Sequence, residues 1–229
     1  MKLTLILTAV SCLVLPLAAS ATSYSVGATD NIFGAGLSTP PAPGGGSAGS
    51  LPLQIGVTGI AYQFQYVSGT VSPDTSQSYS LDANGAPGFT FISCPGSISA
   101  YLSDNSFALL GVFLGSGGQS GPAPSPFDFT STGTGVNFTT LSPQIGQVFF
   151  IGDGSNSSNQ TQTFNVPTGA TELYLGFADG VNFSGLVGQY QDNAGSLTMN
   201  VNAVPEPAPV VLIIAGSALM AVMRFRNKR

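Results

Sequence analysis

The stretch Ile60-Ala-Tyr-Gln-Phe-Gln-Tyr-Val67 alternates large aromatic and polar side chains with a period of two. That period puts Tyr62, Phe64 and Tyr66 on one face and Gln63 and Gln65 on the other, as in a strand with one dry and one wet side. Working outward, short runs rich in β-branched and aromatic residues recur at 54–67, 89–92, 107–114, 147–151, 161–166, 172–177 and 196–201, each bounded by turn-forming residues. Helix formers are scarce between them. Seven or so strands at that spacing predict an all-β domain, an antiparallel β-sandwich, and the roughly 180 residues concerned suit one domain. Two segments, "STPPAPGGGSAGS" at 38–50 and "SGGQSGPAPSP" at 116–126, read as flexible linkers or long surface loops. No internal repeat is visible.

The charges are distributed unevenly. The chain has five Lys and Arg residues, Lys2, Arg224, Arg226, Lys228 and Arg229, and no His. Residues 22–202 therefore carry no cationic side chain, against nine acidic ones: Asp30, Asp74, Asp82, Asp104, Asp128, Asp153, Glu172, Asp179 and Asp192. No salt bridge can form within that region, so any clustered carboxylates must be solvated or find a metal. Nucleic-acid binding by phosphate neutralisation is excluded for the same reason. Catalysis is confined to carboxylate or metal chemistry. Nothing in the sequence fixes two carboxylates across a cleft as a glycosidase needs, so the expectation is a non-catalytic protein. Cys94 is the one cysteine after residue 21, which leaves no intrachain disulfide. With no base to activate it, Cys94 reads as a small core residue near a strand end.

Both ends carry the missing positive charge. Met1-Lys2, an apolar run from Leu3 to Leu17 and small residues at Ala19-Ser20-Ala21 make a signal peptide over 1–21, cut by signal peptidase after Ala21. Cys12 lies inside the apolar run, which disfavours a lipoprotein reading. At the other end Val204-Pro205-Glu206-Pro207 precedes the fourteen-residue stretch "VVLIIAGSALMAVM" at 210–223 and the basic tail "RFRNKR" at 224–229. As a helix that stretch spans about 21 Å, short of a bilayer core of roughly 30 Å, a gap that local thinning and snorkelling of Arg224 and Arg226 reduce. The order is a stop-transfer pattern with its basic end inside, and a buried core helix is disfavoured because the tail needs water.

Val204-Pro205-Glu206-Pro207 followed at once by an apolar span and an Arg-rich end resembles a PEP-CTERM sorting signal. The resemblance covers about the last 26 residues, 204–229, and implies recognition and cleavage by an exosortase in a bacterium that makes extracellular polysaccharide. It implies a secreted or cell-surface protein, anchored transiently or stably in the inner membrane by the C-terminal helix. It does not say what the domain before it does.

The most informative stretch of the domain runs from Asn165 to Val201. A strand over 172–177 leads to Asp179, and a second over 196–201 follows Asp192-Asn193-Ala194-Gly195, with an intervening loop long for a hairpin. Two carboxylates and an amide converging without a basic residue fit a hard cation such as Ca2+, which takes six to eight oxygens. The alternative is that Asp and Asn only make turns.

The segments "YVSGTVSP", "ALLGVFLG", "VPTGATELYLGFAD" and "GQYQDNAGSLTMNV" are together similar to the PA-I galactophilic lectin family. That resemblance, over about 54–201, implies a galactose-binding-like, jelly-roll type of sandwich with one Ca2+ bridging protein and sugar hydroxyls. It implies metal ligands at Asp179, Asp192 and Asn193 through side chains, and at Gln189 and Pro73 through backbone carbonyls. Three departures stand beside it: the longer segment from Gly180 to Val187, Asp in place of Asn at 192, and the absence of the family's sugar-gripping His. Two functions follow as expectations. One is a Ca2+-dependent module binding exopolysaccharide or galactosides, with Asp179, Asp192 and Asn193 at the sugar and Tyr190 as an exposed stacking platform; the other is a structural matrix protein whose ion only staples the loop.

Overall fold

The computed structural model describes residues 21–74 and 78–206, of which all but Glu206 belong to the compact unit Ala19–Pro205. All but Ala21 of the signal peptide expected over 1–21, the helix expected over 210–223 and the tail over 224–229 lie outside the described residues, as do Pro207, Arg224 and Arg226. No described helix is long and apolar enough to cross a membrane.

The described chain is all-β, with strands β1 (Ala21–Gly27), β2 (Leu53–Gly56), β3 (Ala61–Ser72), β4 (Ala86–Ser93), β5 (Tyr101–Ser106), β6 (Leu110–Leu114) and β7 (Asp128–Phe129). There follow β8 (Thr140–Leu141), β9 (Phe149–Phe150), β10 (Thr163–Asn165), β11 (Glu172–Gly176), β12 (Ser184–Leu186) and β13 (Ala194–Val204). They form three sheets, ordered β1-β13-β3-β10-β8, β2-β11-β6-β9 and β12-β4-β5-β7. Most pairs are antiparallel. The short strands β8, β7 and β12 pair in parallel with β10, β5 and β4, so the expected purely antiparallel arrangement gives way to a mixed one.

β3 forms as its alternation requires. Tyr62 and Phe64 are buried while Gln65 is exposed. The register to β13 then slips between Thr198 and Met199, leaving Val67 unpaired as a bulge and reversing which residues face inward, so that Val71 is the next buried side chain. The run at 54–67 is two strands, not one. β2 pairs with β11 in the second sheet, whereas β3 lies between β13 and β10 in the first. The run at 107–114 likewise starts late. Phe107 has φ 53°, in the left-handed region, and its ring stacks on Phe177 at 4.9 Å before β6 begins.

Aromatic rings join the layers. Phe64 meets Phe164 edge-on at 5.3 Å, Phe149 lies 5.2 Å from Phe164 and stacks on Phe113 at 5.3 Å, and Tyr62 is 6.1 Å from Phe113. The neighbour Phe150 points the other way, to Phe129 at 6.1 Å in the third sheet. At this point the second sheet is therefore buried on both faces, which explains the five consecutive buried residues of β6. Gly111 makes room here, since a Cβ on it would approach the Phe149 ring to 2.5 Å. Burying one such aromatic contributes about 1.5–3 kcal/mol.

Candidate functional site

Asp179 lies three residues beyond β11, in the connection that leaves the second sheet and enters the first at β13. The two strands flanking the candidate loop are thus in different sheets, and the expected hairpin is a crossover between layers. Within it, residues 181–183 form a short 3-10 turn and β12 adds an edge strand to β4.

The Asp179 side chain is 3 % exposed. Its Oδ1 accepts the Gly180 N–H at 2.7 Å, and the Asn193 amide also donates to the carboxyl. Burial is the main influence on its ionisation and pushes it from 3.8 up to about 7; the bonds from Gly180 and Asn193 oppose the shift, and the nearby charge of Asp192 adds to it. Asn193 donates its Nδ2 to the Ala28 carbonyl at 3.3 Å. Two buried acceptors have no partner, Asp192 Oδ1 and Asn193 Oδ1. The β3–β13 register ends with Ala194 opposite Ser72, so the buried Pro73 follows one strand where Asn193 precedes the other. Gln189 adopts a left-handed conformation, φ 72°, which turns the chain toward Tyr190.

Tyr190 is 1 % exposed, and burial holds its ionisation well above the usual tyrosine range. Its hydroxyl donates to the Phe177 carbonyl at 2.8 Å and accepts the Asp179 N–H at 3.1 Å. The expected stacking platform is therefore corrected: a ring sealed in the core cannot meet a sugar, and Tyr190 braces the backbone that presents Asp179.

The segment 38–50 has no regular strand and is not a linker, because it is bonded along its length to this connection. Gly44 N–H donates to Val187 O at 2.9 Å, Gln189 N–H to Gly45 O at 3.1 Å, Tyr190 N–H to Ser47 O at 3.1 Å, and Ser47 N–H to Gln191 Oε1 at 2.7 Å. Asn31, fully buried, anchors the segment from behind by donating Nδ2 to Pro41 O at 2.9 Å and Ala48 O at 3.0 Å. No local signal marks Asn31 in the sequence; its partners are 10 and 17 residues away. Asp30, beside it, accepts from Gly27 N–H at 2.8 Å and Ser50 Oγ at 2.9 Å, and burial raises its carboxyl against those two bonds.

The structure thus gathers Asp179, Asp192 and Asn193, aligns Pro73 beside Asn193 and separates Tyr190 from solvent. Among the described residues no three His, Cys, Asp or Glu side chains cluster, so any metal here would draw on amide and backbone oxygens as well as the two carboxylates. Cys94 is half-buried after β4, with burial pushing its thiol up. Val204 ends β13 and its carbonyl accepts the Ile60 N–H at 2.9 Å, while Glu206 is exposed. These features define an all-β domain with an oxygen-rich cluster of side chains at the crossover of two sheets. No family model, curated protein or solved structure matches the chain.

Proposed function

We propose that this is a secreted or surface-displayed, non-catalytic structural domain whose crossover between β11 and β13 is stapled by Ca2+. The observation that carries the reading is the pair of buried, unpartnered oxygens, Asp192 Oδ1 and Asn193 Oδ1, beside the Asp179 carboxyl in a region with no cationic side chain. Each buried acceptor left unsatisfied costs about 1–3 kcal/mol. A hard cation would satisfy both at once and compensate the carboxylates, and the resemblance to the PA-I galactophilic lectins would add the Gln189 and Pro73 carbonyls to its oxygen shell. The test is calorimetric titration with Ca2+ of the protein and of its Asp192→Ala and Asn193→Ala variants. Binding lost in both variants supports the site, and binding unchanged in both rejects it.

The finer fold reading, a galactose-binding-like or jelly-roll sandwich, belongs with this proposal. So does processing of 204–229 as a PEP-CTERM signal by exosortase after signal peptidase has acted, giving a matrix or cell-surface protein of an exopolysaccharide producer. It is supported by the placement of Val204 at the end of the last strand, which leaves Pro205 and Glu206 accessible to a protease.

A second reading, Ca2+-dependent binding of galactosides or exopolysaccharide, is favoured by a groove of about 160 Å³ that borders the site. It is lined by Thr70, Ser72, Ala194 and Gly195, with Tyr79, 47 % exposed, at its side. In this reading Tyr79, exposed where Tyr190 is buried, would be the ring that stacks on the sugar. Without a cationic donor, a monosaccharide would bind at about millimolar strength, and attachment would depend on many copies displayed together. A glycan array probed in Ca2+ and in EDTA decides: a Ca2+-dependent signal lost in Tyr79→Ala supports the lectin reading, and silence in both conditions leaves only the staple.

A further inference from the structure

A larger groove, about 420 Å³, is lined by none of Asp179, Asp192 and Asn193 and falls within the range of small-ligand sites, about 300–1,000 Å³. Its floor is the outer face of β2 and β11. Leu173 and Leu175 point into the core, so Glu172 and Tyr174, two residues apart, point outward, and Gln54 pairs directly opposite Tyr174. Its walls are the turn at 34–37 and the loop at 116–118, fastened to each other by Gln119, whose Nε2 donates to Phe33 O at 2.9 Å and Ala35 O at 2.8 Å. The groove is thus held open by the fold.

The Tyr174 hydroxyl donates a short hydrogen bond to Glu172 Oε2 and accepts from the Gly36 N–H. A carboxylate offers about four lone-pair positions, so one donor leaves Glu172 most of its capacity. No side chain between Lys2 and Arg224 is cationic, so no group of the domain competes with a cationic ligand for Glu172. Leu37 and Leu51, 39 % and 42 % exposed, and the largely buried Tyr174 ring give the groove apolar surface, and Glu172 and Gln54 give it polar groups. A sugar ring bearing an amine has the matching distribution, an apolar face with a polar and charged edge.

We propose that this groove binds an amino sugar, its primary ammonium paired with the Glu172 carboxylate, a ring hydroxyl on Gln54 and the ring face against Leu37 and Leu51. Tyr174 is a positioning residue that fixes the rotamer of Glu172. The inference is independent of the Ca2+ site, and its test is run in EDTA so that the two can fail separately.

The full-length protein is titrated with a β-1,4-glucosamine tetramer, with the N-acetylated tetramer of the same length, and with cadaverine, an amine without a ring. The expected result is binding of the glucosamine tetramer, at least tenfold weaker binding of the other two, and a loss of at least tenfold in Glu172→Gln, which keeps an acceptor for Tyr174. Gln54→Ala is a second variant; the side chain is exposed and lines the groove, so its loss spares the fold while removing the hydroxyl contact, and it should also weaken binding. Failure of the glucosamine tetramer to bind overturns the proposal. So does equal binding of the acetylated tetramer or of cadaverine, or full binding by either variant.

Discussion

In the absence of metal, the domain should become less stable as pH rises from 4 to 7, and Ca2+ should remove that loss. The perturbation acts on Asp179, whose carboxyl is moved by burial from 3.8 to about 7 in the folded chain. Because the folded value is raised, the folded state holds a proton that the unfolded state has already released across this window. Stability is therefore full below about pH 4, falls as pH rises toward 7, and changes no further on this account above it. A shift of that size corresponds to about 4 kcal/mol at most, at 1.36 kcal/mol per pH unit. For a domain of this size it amounts to about 8–16 °C in Tm. The facing groups are Asp192, which adds to the rise, and Asn193 and the Gly180 N–H, which oppose it. The assay is differential scanning calorimetry of the full-length protein at pH 5 and pH 8, in EDTA and in millimolar Ca2+. Other carboxylates titrate too, so Asp179→Asn is the reference; it keeps an acceptor for Gly180 and should show a flatter profile in EDTA and no response to Ca2+. Identical EDTA profiles for the two proteins, or a wild-type Tm at pH 8 that Ca2+ leaves unmoved, would refute the reasoning.

Tyr190→Phe removes the acceptor for the buried Asp179 N–H and the donor to Phe177 O, so it should cost about 1–3 kcal/mol in urea unfolding and weaken Ca2+ binding without altering the core ring packing. Phe64→Ala, at a buried ring packed edge-on against Phe164, should destabilise by about 3–5 kcal/mol in the same assay, and a change below 1 kcal/mol would contradict the burial described. Gly195→Val should destabilise strongly, because the residue has φ 91° and its Cβ would lie 2.1 Å from the Thr70 carbonyl oxygen; a folded variant of wild-type Tm would refute this. The released extracellular form should lack the basic tail and resist trypsin even when unfolded, since no Lys or Arg lies between residues 22 and 223; an intact mass that includes residues 224–229 would exclude release.

Local pattern alone determined that the chain is built of strands. In β3 the alternation of Tyr62, Gln63, Phe64 and Gln65 fixes which side faces inward, because the side-chain period of a strand is a property of the backbone. Composition likewise determined that no carboxylate of residues 22–202 finds a side-chain counter-ion within that stretch, and spacing picked out Asp179, Asp192 and Asn193. Other strands were illegible for local reasons: β5, Tyr-Leu-Ser-Asp-Asn-Ser, is too polar to stand out, β1 starts at the expected signal-peptide cut, and β7, β8 and β12 have only two or three residues each. Tertiary structure decided the rest. It split residues 54–67 between two sheets, because the turn before Ala61 is where the chain leaves the second sheet for the first. It buried Tyr190 and brought residues 38–50 against residues 187–191, contacts about 144 positions apart that no local pattern encodes. Exposure and long-range pairing depend on where whole sheets pack, so the same Tyr190 that reads as a surface platform in the sequence is, in the fold, the brace beneath Asp179.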